Sequence, residues 1–194
     1  MENNARYRLL KTLAIVLVGG WIVWSFYDGF FRESHDPMAN TLRAAERDFE
    51  DGKYQKALAQ YDRILAELPS HLFALRGRAR TLLLLGDYPK AERAFDEAIA
   101  REPEFANTWA NRGILHDRIG QYQKALADYE EALRLDPATA DGPHWLIRFL
   151  RLQSEPPPTI ADRARYLRIQ LSLPEEARVL RDPEEDDKQR PYKR

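Results

Sequence analysis

The sequence predicts an all-α protein, a solenoid of helix–turn–helix units preceded by one transmembrane helix. Two observations carry that expectation. The first is a set of five columns that recur every 34 residues: Gly52, Gly86 and Gly120; Tyr54, Tyr88 and Tyr122; Ala57, Ala91 and Ala125; Tyr61, Phe95 and Tyr129; Pro69, Pro103 and Pro137. Repeats of this length are single supersecondary units that bury their apolar faces only by stacking on one another. The second is an uncharged run from residue 12 to residue 27.

That run opens the chain. At about 1.5 Å per residue it extends roughly 24 Å, and continuing to Phe31 brings it to roughly 30 Å, a hydrocarbon thickness. Trp21, Trp24 and Tyr27 gather at its far end, where aromatic anchors sit at a membrane interface. Arg6, Arg8 and Lys11 precede it, and Asp28, Arg32, Glu33 and Asp36 follow. The positive-inside rule then expects residues 1–36 to be a cytoplasmic stub and anchor, with the rest of the chain outside the cytoplasm. A cleaved signal peptide would need small residues after the apolar run, and this one ends in Trp, Phe and Tyr.

Three units follow, 38–71, 72–105 and 106–139. In each, helix A covers roughly the first 14 positions and helix B roughly the next 14. The glycine at position 15 ends helix A in the left-handed region, which glycine enters without steric cost. The aromatic at position 17 opens helix B. The alanine at position 20 faces helix A, where anything larger than a methyl would push the axes apart. The aromatic at position 24 fills the gap to the next unit. The proline at position 32 stops helix B, because it lacks a backbone donor and clashes with the preceding turn. Position 8 is small throughout, as Ala45, Ala79 and Gly113.

Trp145, Leu146, Phe149 and Leu150 then recur at helical spacing, and residues 140–153 are expected to form a capping helix on the third unit. Ser-Glu-Pro-Pro-Pro at 154–158 is a stiff break. Ile160 to Leu171 reads as a short helix with Ala164, Leu167 and Leu171 on one stripe. This arm, spanning 154–181, either folds back on the solenoid or stands free to bind a partner. The stretch from 182 to 194 is charged, contains proline and lacks aliphatic side chains, which predicts disorder.

Composition narrows the chemistry. Thirty Lys and Arg face 31 Asp and Glu, so no basic footprint points to nucleic acid. The chain has no cysteine and thus no disulfide or thiol chemistry. The histidines, His35, His71, His116 and His144, lie in separate units with no metal-ligand spacing. No Ser–His–Asp arrangement or glycine-rich phosphate loop occurs, and the acidic runs Glu130–Glu131 and Glu184 to Asp187 read as solvated charge. The expectation is therefore no catalytic residues, no metal, no cofactor and no small-molecule substrate. Abundant arginine, no cysteine and no Asn-x-Ser/Thr sequon fit a bacterial inner-membrane protein facing the periplasm; a eukaryotic organelle membrane is the alternative.

In its 34-residue period and the five columns, the chain closely resembles the tetratricopeptide repeat family. The resemblance implies a binding scaffold whose concave face is lined by helix A, at positions 2, 5, 6, 9, 12 and 13. Those positions give a candidate peptide-binding groove of Phe73, Arg76, Arg80, Asn107, Asn111, Ile114 and Arg118. Some family members grip a peptide's terminal carboxylate with basic residues and asparagines at these positions. Arg76 and Asn111 fit that clamp; Arg80 replaces an asparagine, and Asp141 and Trp145 stand where it has basic residues. An arginine fork suits a carboxylate, and asparagine pairs with peptide backbone. The competing reading pairs both arginines with acidic neighbours on a solvated face. The expected function is a membrane-anchored adaptor that holds a protein or peptide partner for assembly or chaperoning of an envelope complex. Its rival is a structural subunit whose groove is filled by its own carboxy-terminal arm.

Overall fold

A computed structural model describes residues 2–33, 37–140 and 159–181. Eight α-helices lie among them: α1 (Glu2–Glu33), α2 (Pro37–Glu50), α3 (Tyr54–Glu67), α4 (Leu72–Leu85), α5 (Tyr88–Arg101), α6 (Ala106–Arg118), α7 (Tyr122–Leu135) and α8 (Ile160–Ser172). Short 3-10 turns stand at Pro137–Ala140 and Glu175–Ala177. The expected capping helix falls mostly, and the Pro-rich break and charged tail wholly, outside the described residues. By its contacts the chain divides into residues 1–43 and 44–194.

In the first part, α1 contains a 19-residue stretch, Leu10–Asp28, that is long and apolar enough to cross a membrane. None of that stretch is buried within the protein.

In the second part, the columns set the geometry. Gly52, Gly86 and Gly120 have φ of 75°, 78° and 76°. This is the left-handed conformation that lets the chain reverse between helices A and B. Tyr54, Tyr88 and Tyr122 each begin a helix B. The alanines at position 20 are fully buried, as are Tyr61, Phe95 and Tyr129 at position 24. Burying a side chain of that size stabilises the fold by roughly 1.5–3 kcal/mol. Gln121, next to the reversal at Gly120, is half-buried, with its Oε1 enclosed and lacking a partner.

One polar device ties unit to unit. An arginine at position 7 of helix A reaches an aspartate at position 25 of the preceding helix B: Arg78 to Asp62 at 2.6 Å and Arg112 to Asp96 at 2.7 Å. The series continues past the repeats, because Arg168 of α8 meets Glu130 of α7 at 2.7 Å.

Helix α8 is an amphipathic cap. Its N-terminus is closed by a capping box of Thr159 and Asp162. Ile160, Ala164 and Leu167 enter the same core cluster as Ala132, Tyr129 and Ile114. Arg165, Arg168 and Ile169 point to solvent. Arg163 binds Asp117 of α6 through two bonds of 2.7 and 2.8 Å and donates to the Leu180 carbonyl at 3.0 Å. Its fellow Arg178 donates to the carbonyls of Leu173 and Leu171, satisfying orphan acceptors at the end of α8.

These contacts fix the direction of α8. Asp117 lies about 4 Å, and Glu130 about 15 Å, along the helix axes from the turn at Gly120. Arg163 meets the first and Arg168 the second. Helix α8 therefore runs parallel to α7, whereas each next helix A runs antiparallel to the helix B before it. It covers the end of the third unit with its polarity reversed.

Candidate functional site

Helices α4 and α6 supply all seven groove residues, and the structure disperses them. Phe73 is exposed, at 48 %. Arg76, three residues on, lies 3.8 Å over the Phe105 ring and 4.9 Å over Phe73, and binds Glu102 at 2.7 Å. It leans toward the end of the second unit, where Glu102 and Phe105 precede α6. Arg80 leans the other way. It stacks 5.0 Å over Phe49 of α2 and donates from Nη2 to Glu46 Oε1 at 3.1 Å. The two arginines share a helix face but do not form one joint fork.

Burial sorts the rest. Arg80 is 4 % exposed, Asn107 7 %, Asn111 3 % and Ile114 1 %, while Arg118 is half-buried. Ile114 belongs to the core cluster. The concave positions of α6 are thus largely interior, not the solvated lining expected from the helical register. The pairing of Arg76 and Arg80 with glutamates matches the competing reading, except that Arg80 is not solvated.

Around Arg80 the polar geometry is incomplete. Glu46 Oε1 accepts from both Arg80 and the Tyr61 hydroxyl, the latter at 2.9 Å. Burial, then the Glu46 carboxylate, raises the Tyr61 hydroxyl well above its ordinary value and keeps it a donor. Arg80 Nε and Nη1 are enclosed and have no hydrogen-bond partner. Each such buried orphan costs on the order of 1–3 kcal/mol.

A related trio closes the far end of the third unit. Tyr129 donates to Asp117 at 3.2 Å, and Arg163 grips the same carboxylate. Sequence reading missed both trios and the interunit ion pairs. A signal was available for part of them. Asp62 with Arg78 and Asp96 with Arg112 repeat a spacing of 16 inside the 34-residue period, and Glu46 and Arg80 lie one period apart. Among the described residues, no group of three or more His, Asp or Glu side chains is placed to hold a metal ion.

Comparison with known proteins agrees with this architecture. Two tetratricopeptide repeat models match, over residues 48–111 and 106–138. No curated protein matches the chain in sequence. Among solved structures, it resembles the first TPR of Spaghetti (RPAP3) bound to the HSP90 peptide SRMEEVD. That match has a TM-score of 0.56 and 18 % identity, covering 70 % of this chain and 94 % of the other. The Sgt2 TPR domain from Aspergillus fumigatus matches with TM-score 0.52 and 18 % identity over 72 % and 87 %. MamA 41-end from Desulfovibrio magneticus RS-1 matches with TM-score 0.51 and 19 % identity over 73 % and 81 %. At these identities the structures speak for the fold alone. With three glycine-reversed helix pairs in 34-residue register, the chain belongs to the tetratricopeptide repeat family.

Proposed function

We propose that this protein is a membrane-anchored periplasmic adaptor whose concave face receives a segment of a partner protein. As a tetratricopeptide repeat protein it is an interaction module; the membrane context and the groove as docking face are the added steps. One observation carries the groove. Arg80 holds two enclosed donors with no acceptor, on the same helix as Phe73 and Arg76, whose guanidinium stacks on Phe73 and Phe105. A buried cation in that state is relieved by an incoming carbonyl or carboxylate. The peptide complex of the Spaghetti domain supports a peptide occupant by analogy of fold. Leu10–Asp28 supplies the anchor, and Arg6, Arg8 and Lys11 on one flank support a cytoplasmic amino terminus.

The burial of Asn107, Asn111 and Ile114 favours a second reading, in which the chain's own carboxy-terminal part occupies the groove and other surfaces make the contacts. Co-purification from detergent extract separates the two. Wild type and Arg76→Ala/Asn111→Ala are compared for recovered partners by mass spectrometry. Loss of a partner with unchanged melting supports the groove; retention supports the second reading. Alkaline phosphatase fused after residue 194 is expected to be active, and an inactive fusion with an active cytoplasmic reporter at the same point reverses the topology.

A further inference from the structure

Outside α1, four large apolar side chains are exposed among the described residues: Leu68, Phe73, Ile169 and Val179, between 45 % and 60 %. The repeat geometry puts all four toward one edge of the array. Leu68 is the C-cap of α3 and Phe73 the second residue of α4, so both flank a loop where one helix B ends and the next helix A begins. Helix α8 runs parallel to α7, so its last turn lies toward the same loop edge, and Ile169 belongs to that turn. Val179 is held alongside, its amide donating to Gln170 Oε1 at 2.8 Å. At the opposite edge the glycine turns reverse the chain. Exposed side chains there include Asp51, Lys53 and Lys90, and no large apolar side chain of the described residues is exposed.

The loop edge is also where the anchor joins. Helix α1 ends at Glu33, and α2 starts at Pro37 as the first turn of a helix A. Fully extended, the chain from Glu33 to Pro37 covers at most about 14 Å. Asp28, where the apolar stretch ends, is about 7.5 Å further back along α1. The start of α2 is therefore tethered within about 22 Å of the end of that stretch. So short a tether makes contact with the bilayer an intramolecular event, and a contact too weak to recruit a free protein is then enough.

The chemistry of the edge narrows what it meets. Leu68 with Phe73, and Ile169 with Val179, are separated by the second and third units. Two apolar points that far apart, both toward one edge, suit a flat surface rather than a single strand or helix of a partner. Arg101, an exposed cation at this edge, is taken up by Glu97 and the Pro69 carbonyl. Exposed acids there include Glu67, Glu104, Glu175 and Glu176, which repel anionic headgroups. The surface that fits is a neutral, zwitterionic lipid interface entered by apolar side chains.

We propose, resting on α1 as the membrane anchor, that this loop edge docks on the lipid surface of the membrane that α1 crosses. Leu68 and Phe73 form one contact, Ile169 and Val179 the other, and the glycine turns face away from the bilayer.

The chain has no cysteine, so each one introduced is unique. Full-length protein is reconstituted at one copy per nanodisc in phosphatidylcholine, which excludes a second chain or another protein as the occupant. An environment-sensitive fluorophore is attached at Leu68→Cys, Phe73→Cys or Ile169→Cys on the loop edge, at Lys53→Cys or Lys90→Cys on the turn edge, and at Val16→Cys in α1. Lipids carrying a shallow nitroxide are expected to quench the loop-edge labels several-fold more than the turn-edge labels. The difference is expected to persist at about 0.5 M salt, where a contact held by charge is screened. Equal quenching at the two edges overturns the docking, as does a loop-edge signal that vanishes with salt. A Val16 label beyond the reach of deep nitroxides overturns the anchor itself, and the docking with it. A quenched Val16 label beside unquenched Leu68 and Phe73 labels overturns the docking alone.

Discussion

Glu46, Tyr61 and Arg80 on one side, and Asp117, Tyr129 and Arg163 on the other, are the same three functional groups solved in two ways. In each trio a fully buried tyrosine donates to a carboxylate that also takes an arginine. The first is loose. Glu46 is a quarter exposed, Arg80 makes one bond of 3.1 Å to it, and two donors are left over. The second is tight. Asp117 is 3 % exposed at its side chain, Arg163 engages both of its oxygens, and a third bond runs to the Leu180 carbonyl. A closed trio holds the molecule together; an unfinished one, on helix A of the second unit, is where the proposed partner's acceptor would contribute.

The largest expected effect breaks the tight trio. Arg163→Ala leaves Asp117 buried without its cation, and removing one partner of a buried pair costs about 3–5 kcal/mol. Calorimetry should show a clear drop in melting temperature, and proteolysis should cut earlier between α7 and α8. Arg80→Met tests the loose trio with the opposite expectation. It removes two orphan donors and keeps the stack on Phe49, so stability should change by less than about 1 kcal/mol. If the two substitutions cost the same, the distinction between the trios is wrong.

The tyrosines offer a sharper test. A Cβ added at Gly113 would stand 2.6 Å from the Tyr129 ring, and one at Gly77 would meet the Tyr61 ring closer still. Gly→Ala inside a helix normally stabilises by about 1 kcal/mol. Here both substitutions should destabilise, by roughly 1–3 kcal/mol, because neither buried ring can retreat. Melting that rises in either variant would mean that the ring has room to move.

The smallest effect concerns the cap of α8. Hydrogen bonds from the Thr159 hydroxyl and then its amide hold the Asp162 carboxyl below the usual carboxylate range. A depressed carboxyl contributes stability above its unfolded value of about 3.9 and loses it as pH falls through the lower, folded value. Asp162→Asn should remove that acid-side dependence. The loss at neutral pH should be a few tenths of a kcal/mol, discounted because the group is largely exposed.

How much of this was legible beforehand follows from periodicity. Gly86 and Tyr88 could be placed on a turn and a helix start because their equivalents at 52, 54, 120 and 122 vote with them. Phe95 and Ala91 could be placed in the core on the same grounds. Arg163 has no such column. Its partner lies 46 residues away, across a stretch outside the repeat, and nothing in a single sequence ties an arginine there to Asp117. The groove residues differ in another way. Register puts them on α4 and α6, but burial at Asn111 or Arg80 depends on what lies over the helix, and register does not report that. The pairing of His116 with Asp128 was hidden by its own irregularity, since the matching positions carry Leu82 with Ala94 and Asp48 with Gln60.

The reversed direction of α8 governs how such a chain can change in length. Among the described residues, α8 meets the end of the third unit through Asp117 and Glu130, so a unit appended after 139 would have to displace it. A copy of 72–105 spliced in ahead of residue 106 would leave that end face as it is. Growth of this protein by duplication is open in the middle of the array and shut at its terminus.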